Sequence, residues 1–285
     1  MPASAVSASS WSFDPALALI VLTGVMYREG DRRTVTSPRE RGAARMRSFS
    51  FYAALAVLVV ALDSPLDALT AQLFWVHMVQ HVLLLMVAAP LLVLARPWIR
   101  LWRCLPLGTR RSLGRGLSSG SSTAVLRGTA RELGRPALSF VLFAGTLVAW
   151  HVPALFDSTL RSEPLHVLEH ILFFTTALLF WKQVIPSPPL HTTMPDGVRV
   201  LYVIGAMTVC WLLAIVLAVA PHALYDGYAH QGARPGGISA LGDQQLAAGI
   251  MWVPGSITFV VVIFAYLNRW LSPPEAGGTR LAGEH

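Results

Sequence analysis

Three stretches of this chain, from Ala68 to Ala95, from Val200 to Ala220 and from Gln244 to Asn268, hold no aspartate, glutamate, lysine or arginine. Each is long enough to cross a bilayer as a helix, which takes about 20 apolar residues. A helix also satisfies its own backbone polar groups where lipid cannot. Composition agrees: 54% of the residues are hydrophobic and 13% charged, against about 25% charged in soluble domains. The chain therefore reads as all-α, a polytopic seven-helix transmembrane bundle forming a single transmembrane domain over residues 1–271. The predicted spans are Phe13–Tyr27, Phe49–Ser64, Leu69–Ala95, Ala137–Val152, Leu165–Ile185, Val198–Ala220 and Gln244–Leu271. Residues 272–285 read as a disordered cytoplasmic tail.

Charge orients these spans. The 28–48 loop carries seven arginines and the 96–136 loop nine, whereas the connection from Asp63 to Asp67 is purely acidic. Arg-rich loops stay cytoplasmic, which puts the N-terminus outside and the C-terminus inside. Met1 to Ser12 has no basic residue ahead of the first apolar run, so that run reads as a retained span and not as a signal peptide. Trp11, Trp75, Trp150 and Trp252 fall toward outer span ends, and Trp98, Trp102, Trp181 and Trp270 toward inner ends, as two aromatic belts would. The net charge of +7 is explained by topology and anionic lipid and calls for no nucleic acid. Residues 103–135 are rich in Gly, Ser and Arg and read as a flexible linker at the membrane surface. Cys104 and Cys210 form no motif. The outer connections beginning near Pro65, Pro153 and Pro221 share a proline, an apolar residue and an aspartate, a pattern consistent with three repeated helical hairpins.

Within this frame the histidines segregate. His77-Met-Val-Gln-His81 and His166-Val-Leu-Glu-His170 each place two imidazoles one helical turn apart on one face. Imidazole in hydrocarbon is costly without a partner, and this chain carries the same pattern twice. His77 and His81 are expected two to three turns below the outer start of the third span, and His166 and His170 at the outer start of the fifth. His151 and His222 end spans four and six on the same side. If spans three and five are neighbours, four imidazoles converge. Candidate metal ligands are then His77, His81, His166, His170, His151 and His222, with Gln80, Glu169, Asp243, Gln244 and Met251 as orienting or auxiliary groups. Imidazole suits Cu, Zn, Fe and Ni, and thioether from Met78 or Met251 adds preference for Cu(I). The bland alternative is a set of histidines hydrogen-bonded between helices.

The run from His77 to Leu94, with Gln80-His81 and Ala88-Ala89-Pro90-Leu91-Leu92, resembles one segment of a known family. His166 to His170 followed by Phe173, Phe174 and Trp181 resembles another. Trp150-His151-Val152-Pro153 and Asp243-Gln244-Gln245 with Gly249 to Gly255 complete the likeness, which covers Phe49 to Leu271. The family is the membrane-integral CtaG type of cytochrome c oxidase assembly factor, distinct from the single-span copper chaperones that share the name. The resemblance implies a non-enzymatic, multi-pass protein of the bacterial plasma membrane. It implies cytochrome c oxidase subunits as partners, beside membrane lipids, in the maturation of a haem-copper oxidase at copper insertion.

Other readings remain open on the residues alone. Imidazoles from two helices could hold a haem for electron transfer, although two histidines one turn apart crowd a porphyrin. Glu169 beside a metal-bound water would suit a hydrolase, but no substrate pocket is legible. A transporter would need polar residues continuing toward the cytoplasm, and below the histidines spans three and five offer little beyond Thr175 and Thr176. Copper or haem, one site or two, and the oligomeric state are left undecided at this level.

Overall fold

The computed structural model describes residues 15–120, 123–189, 192, 194–232 and 234–272, and among these it is all-helical with no β-strand. The helices are α1 (Pro15–Arg32), α2 (Arg41–Leu62), α3 (Pro65–Thr70), α4 (Phe74–Ala95), α5 (Trp98–Arg103), α6 (Leu107–Ser119) and α7 (Ala124–Leu133). They continue with α8 (Pro136–Trp150), α9 (Pro153–Arg161), α10 (Glu163–Val184), α11 (Asp196–Val219), α12 (Asp226–Ala229) and α13 (Ala240–Leu271). Prolines open several of them, where a missing N–H costs nothing. The N-cap residue's own side chain closes the starts of α3 and α13: Ser64 accepts from the Leu66 amide at 3.2 Å and Ser239 from the Gly242 amide at 3.0 Å.

Among the described residues five helices are long and apolar enough to cross a membrane: α2 with its preceding turn, α4, α10, α11 and α13. A sixth exists if α7 and α8, bent by 75° at Gly134–Arg135, count as one span. Helix α8 alone has 15 residues and reaches about 22 Å, short of the roughly 30 Å hydrocarbon core. Helix α1 has 18 residues, but its last turns hold Arg28, Glu29, Asp31 and Arg32.

Helix α4 is central and packs against α2, α10 and α13. Its middle departs from α geometry over Leu83–Ala88, a π turn in which the Ala89 amide bonds the Leu84 carbonyl. That bond strands the Leu85 carbonyl. Pro90, lacking an N–H, strands that of Met86. Both find side-chain donors: Trp181 Nε1 reaches Leu85 at 2.8 Å, and Thr258 Oγ1 reaches Met86 at 2.7 Å. Trp181 is fully buried and stacked on Phe259. It and the buried Trp150 therefore belong to the core and not to interfacial belts, while Trp252 and Trp270 are exposed. Trp11 lies outside the described residues.

The bend before α8 is closed in the same manner. Gln183 Nε2 donates to the Gly134 carbonyl at 2.9 Å and to Ser139 Oγ at 3.0 Å, and the Tyr202 hydroxyl to the Pro136 carbonyl at 3.1 Å.

Two expectations need correction. Residues 103–135 are not a structureless linker, since α6 and α7 lie in them. Their leucines and arginines recur at helical spacing, which a compositional reading overlooks. The third span does not begin at Leu69. Residues 65–70 form the separate α3, the chain breaks at Ala71–Leu73, and α4 starts at Phe74. His77 and His81 thus stand in the first two turns of their helix. The tail beyond Ser272 lies outside the described residues.

Candidate metal centre

Helices α4 and α10 bring the two histidine pairs face to face. His77 lies 4.9 Å from His166 and His81 lies 5.6 Å from His170, ring centroid to centroid. First pairs with first and second with second, so the two helices run in the same direction. Glu169 sits between the rungs, one carboxylate oxygen 3.7 Å from His77 Nε2 and the other 3.7 Å from His81 Nε2. His77 and Glu169 are fully buried, and His81 and His170 nearly so.

These distances exceed a hydrogen bond. The Nε2 atoms of His77, His81, His166 and His170 have no hydrogen-bond partner among the described residues, and the Glu169 carboxylate has none within 3.5 Å, only a weak contact with the Thr159 hydroxyl. Burying so many unpaired polar atoms is expensive. Donor atoms of His77, His81 and His170 lie within 4.8 Å of one another, as do those of His77, His166 and Glu169. Ligands on a tetrahedral ion with bonds of about 2.1 Å would stand about 3.4 Å apart, so a small contraction would satisfy either triad. The donor set of imidazoles and one carboxylate fits a first-row transition metal.

Surrounding hydrogen bonds prepare these rings. The Tyr228 hydroxyl donates to the Thr70 carbonyl, so its oxygen must accept from His77 Nδ1, 3.1 Å away. His151 Nδ1 donates to the Leu147 carbonyl at 2.7 Å. Both imidazoles are thereby held with Nε2 unprotonated, the form that binds metal. Tyr228 is itself fixed through α12, whose Asp226 and Gly227 amides donate to Asp157 at 3.1 and 2.9 Å. A Cβ on Gly227 would stand 2.5 Å from Leu160 Cδ1 and 3.2 Å from Asp157 Oδ1, so a larger residue there would require the Leu160 side chain to move. Phe156 lies 4.9 Å from His77 and Phe173 4.6 Å from His81, walling the cluster.

The remaining candidate residues are placed differently. Asp243 accepts from the amides of Phe74 and Trp75 at 3.0 and 2.9 Å. It thus caps α4, whose own N-cap Leu73 offers no side-chain acceptor. Gln80 Nε2 donates to the Ala61 carbonyl and to Asp67, both at 2.7 Å, tying α4 to α2 and α3 and not to an imidazole. Gln244 accepts from the Leu224 amide at 2.7 Å and donates to the Leu217 carbonyl at 2.9 Å, bracing the outer loop. Met251 is buried beside His151. His222 is exposed past the end of α11 and does not join the cluster, because the helix stops at Val219 and Pro221 turns the chain away. His191 and His285 lie outside the described residues. Tyr228 and Asp157 were not anticipated. In sequence Tyr228 shows only as part of the Tyr225-Asp226-Gly227-Tyr228 run, which reads as an ordinary turn, and Asp157 only as the aspartate of the outer connection that begins at Pro153.

The chain was compared with known proteins. Uncharacterized proteins of Mycobacterium bovis and Mycobacterium tuberculosis are each 27% identical over 269 residues, covering 91% of this chain and 39% of their own length. One from Mycobacterium leprae is 23% identical over 265 residues, with the same coverage. The chain thus spans about two fifths of the relatives it matches. No solved structure matches it. A family model described as "Cytochrome c oxidase caa3 assembly factor (Caa3_CtaG)" matches residues 12–272, a range that takes in α1 and the Arg-rich helices as well as the histidine-bearing ones. With the match running through nearly all of its length, the chain belongs to the cytochrome c oxidase caa3 assembly factor family.

Proposed function

We propose that this protein assists maturation of a haem-copper cytochrome c oxidase by holding copper, as cargo, in the cluster of His77, His81, His166, His170 and Glu169. The observation carrying this reading is the set of buried, unpartnered Nε2 and carboxylate atoms between α4 and α10. An ion bound there would meet preformed lone pairs on His77, held by Tyr228. One acid among four neutral imidazoles leaves a site of modest charge, suited to a metal that must leave again. In this reading the chain is not an enzyme. It crosses the bacterial plasma membrane seven times, N-terminus outside, with the cluster near the outer face. The acidic outer connections and Arg-rich inner loops support that orientation.

Haem is the second reading. A bis-imidazole haem needs a flat slot between two rings, whereas here the Glu169 carboxylate stands 3.7 Å from Nε2 of both His77 and His81. The geometry therefore favours a small ion. Metal and haem analysis of the purified protein decides between them, with wild type beside a His77→Ala/His170→Ala variant. Copper retained by wild type, lost in the variant together with oxidase activity in cells, is the expected result. A Soret band in the wild type, or a variant that keeps both copper and oxidase assembly, refutes the assignment.

A further inference from the structure

A second compartment adjoins the cluster where α4 meets α8, α11 and α13. It is a cavity of about 30 Å³ bordered by Met78, Met86, His81, His151, Cys210 and Met251. Three of the chain's eight methionines and one of its two cysteines face this one void, and all four are buried. Methionine alone would be ordinary gap filling. The histidines make the difference. His151 is 7% exposed, and its Nδ1 is committed to the Leu147 carbonyl. Its Nε2 has no hydrogen-bond partner among the described residues. His81 is 5% exposed and both its ring nitrogens are likewise unpartnered. A core filled only for packing would not leave imidazole lone pairs bordering an apolar void, because each costs free energy that nothing returns.

The space is sufficient for an ion, since a single water needs about 10–15 Å³ by the same measure. The chemistry is selective. Thioether and thiol sulfur with neutral imidazole, and no carboxylate, prefer a soft monovalent cation, whereas the neighbouring cluster has Glu169 and no sulfur.

We propose that this cavity is a second metal site, specific for Cu(I), with His151, Met251 and Cys210 as its principal ligands and His81 bordering both compartments. The proposal extends the copper reading above and rests on it for the identity of the ion. The chain would then hold two copper positions of different softness side by side.

The test uses the full chain in detergent, Cu(I) as ligand with X-ray absorption at the copper edge, and Ag(I) as a redox-inert stand-in for counting sites. Wild type should show sulfur as well as nitrogen neighbours to copper. A Met251→Leu/Cys210→Ser variant, nearly volume-conserving, should lose the sulfur signal and half the Ag(I) capacity. A His77→Asn/His166→Asn variant should keep sulfur-bound metal. Wild-type copper with nitrogen and oxygen neighbours only overturns the proposal without any variant having to fold. So does a sulfur variant that binds Ag(I) unchanged. Sulfur-bound copper in a wild type whose histidine-cluster variant loses nothing would sustain the cavity while removing the cluster reading.

Discussion

Helix α4 carries two groups of buried polar atoms, and its neighbours treat them in opposite ways. In the π turn, two carbonyls freed by the irregular backbone have found donors: Trp181 for Leu85 and Thr258 for Met86. Less than two turns earlier, His77 and His81 present nitrogens to His166, His170 and Glu169, and the facing Nε2 and carboxylate atoms remain unpaired. Both regions lie in the same buried interior. Careless packing therefore does not explain the unpaired set, because the same bundle satisfies even the awkward carbonyl left by Pro90. The contrast separates polar groups that hold the fold together from polar groups kept available for something else.

Changes that act on one region and spare the other sharpen this contrast. The largest effect is expected from Glu169→Gln, which replaces the one carboxyl standing between the imidazoles of His77 and His81. Copper affinity should fall about a hundredfold with little change in unfolding, and a competition titration reads it directly. Unchanged affinity would mean the carboxylate is not part of the site. Trp181→Phe should do the reverse. It strands the Leu85 carbonyl and should destabilise the fold by about 1–3 kcal/mol, seen in detergent unfolding, while the folded fraction binds copper as before. Tyr228→Phe should weaken copper binding about tenfold, as loss of a group orienting a ligand does, with a smaller loss of stability from the Thr70 carbonyl it frees. An equal loss of stability would recast Tyr228 as a structural tie to Thr70. The smallest effect is expected from Thr258→Val, about 0.6 kcal/mol as for a typical hydrogen bond between membrane helices. A larger effect on metal than on unfolding would break the division between the two regions.

Gln80 and Glu169 teach a related lesson. They occupy the same place in the repeated pattern, one residue before the second histidine. From sequence they were equivalent candidates for orienting an imidazole. Gln80 turns instead to Ala61 and Asp67, whereas Glu169 lies between the rings of the opposite helix. A residue one position from a histidine is rotated about 100° around the helix. Whether that side meets the cluster depends on which helix lies there, and no local pattern records it. Asp243 behaves similarly. It opens its own helix in sequence, yet it caps another whose start is 169 residues away.

Much of the architecture was legible because lipid leaves the backbone few choices. Charge-free runs long enough to span must be helices, and histidines four apart on a helix must share a face. Those two rules yielded an all-helical membrane protein and the paired histidines before any coordinates. The separation of α3 from α4, the short bent α8 and the helices within residues 103–135 were not legible. Each depends on which residues cap, kink or cover a segment, and those residues come from elsewhere in the chain. Sequence alone determined the class of the protein and which imidazoles could act together, through helical period and the cost of polar groups in hydrocarbon. The tertiary structure decided which of them meet, that Glu169 joins them and Gln80 and His222 do not, and that Tyr228 fixes the tautomer of His77. Such contacts are set by packing between helices distant in sequence, where hydrogen-bond partners are chosen by proximity in space.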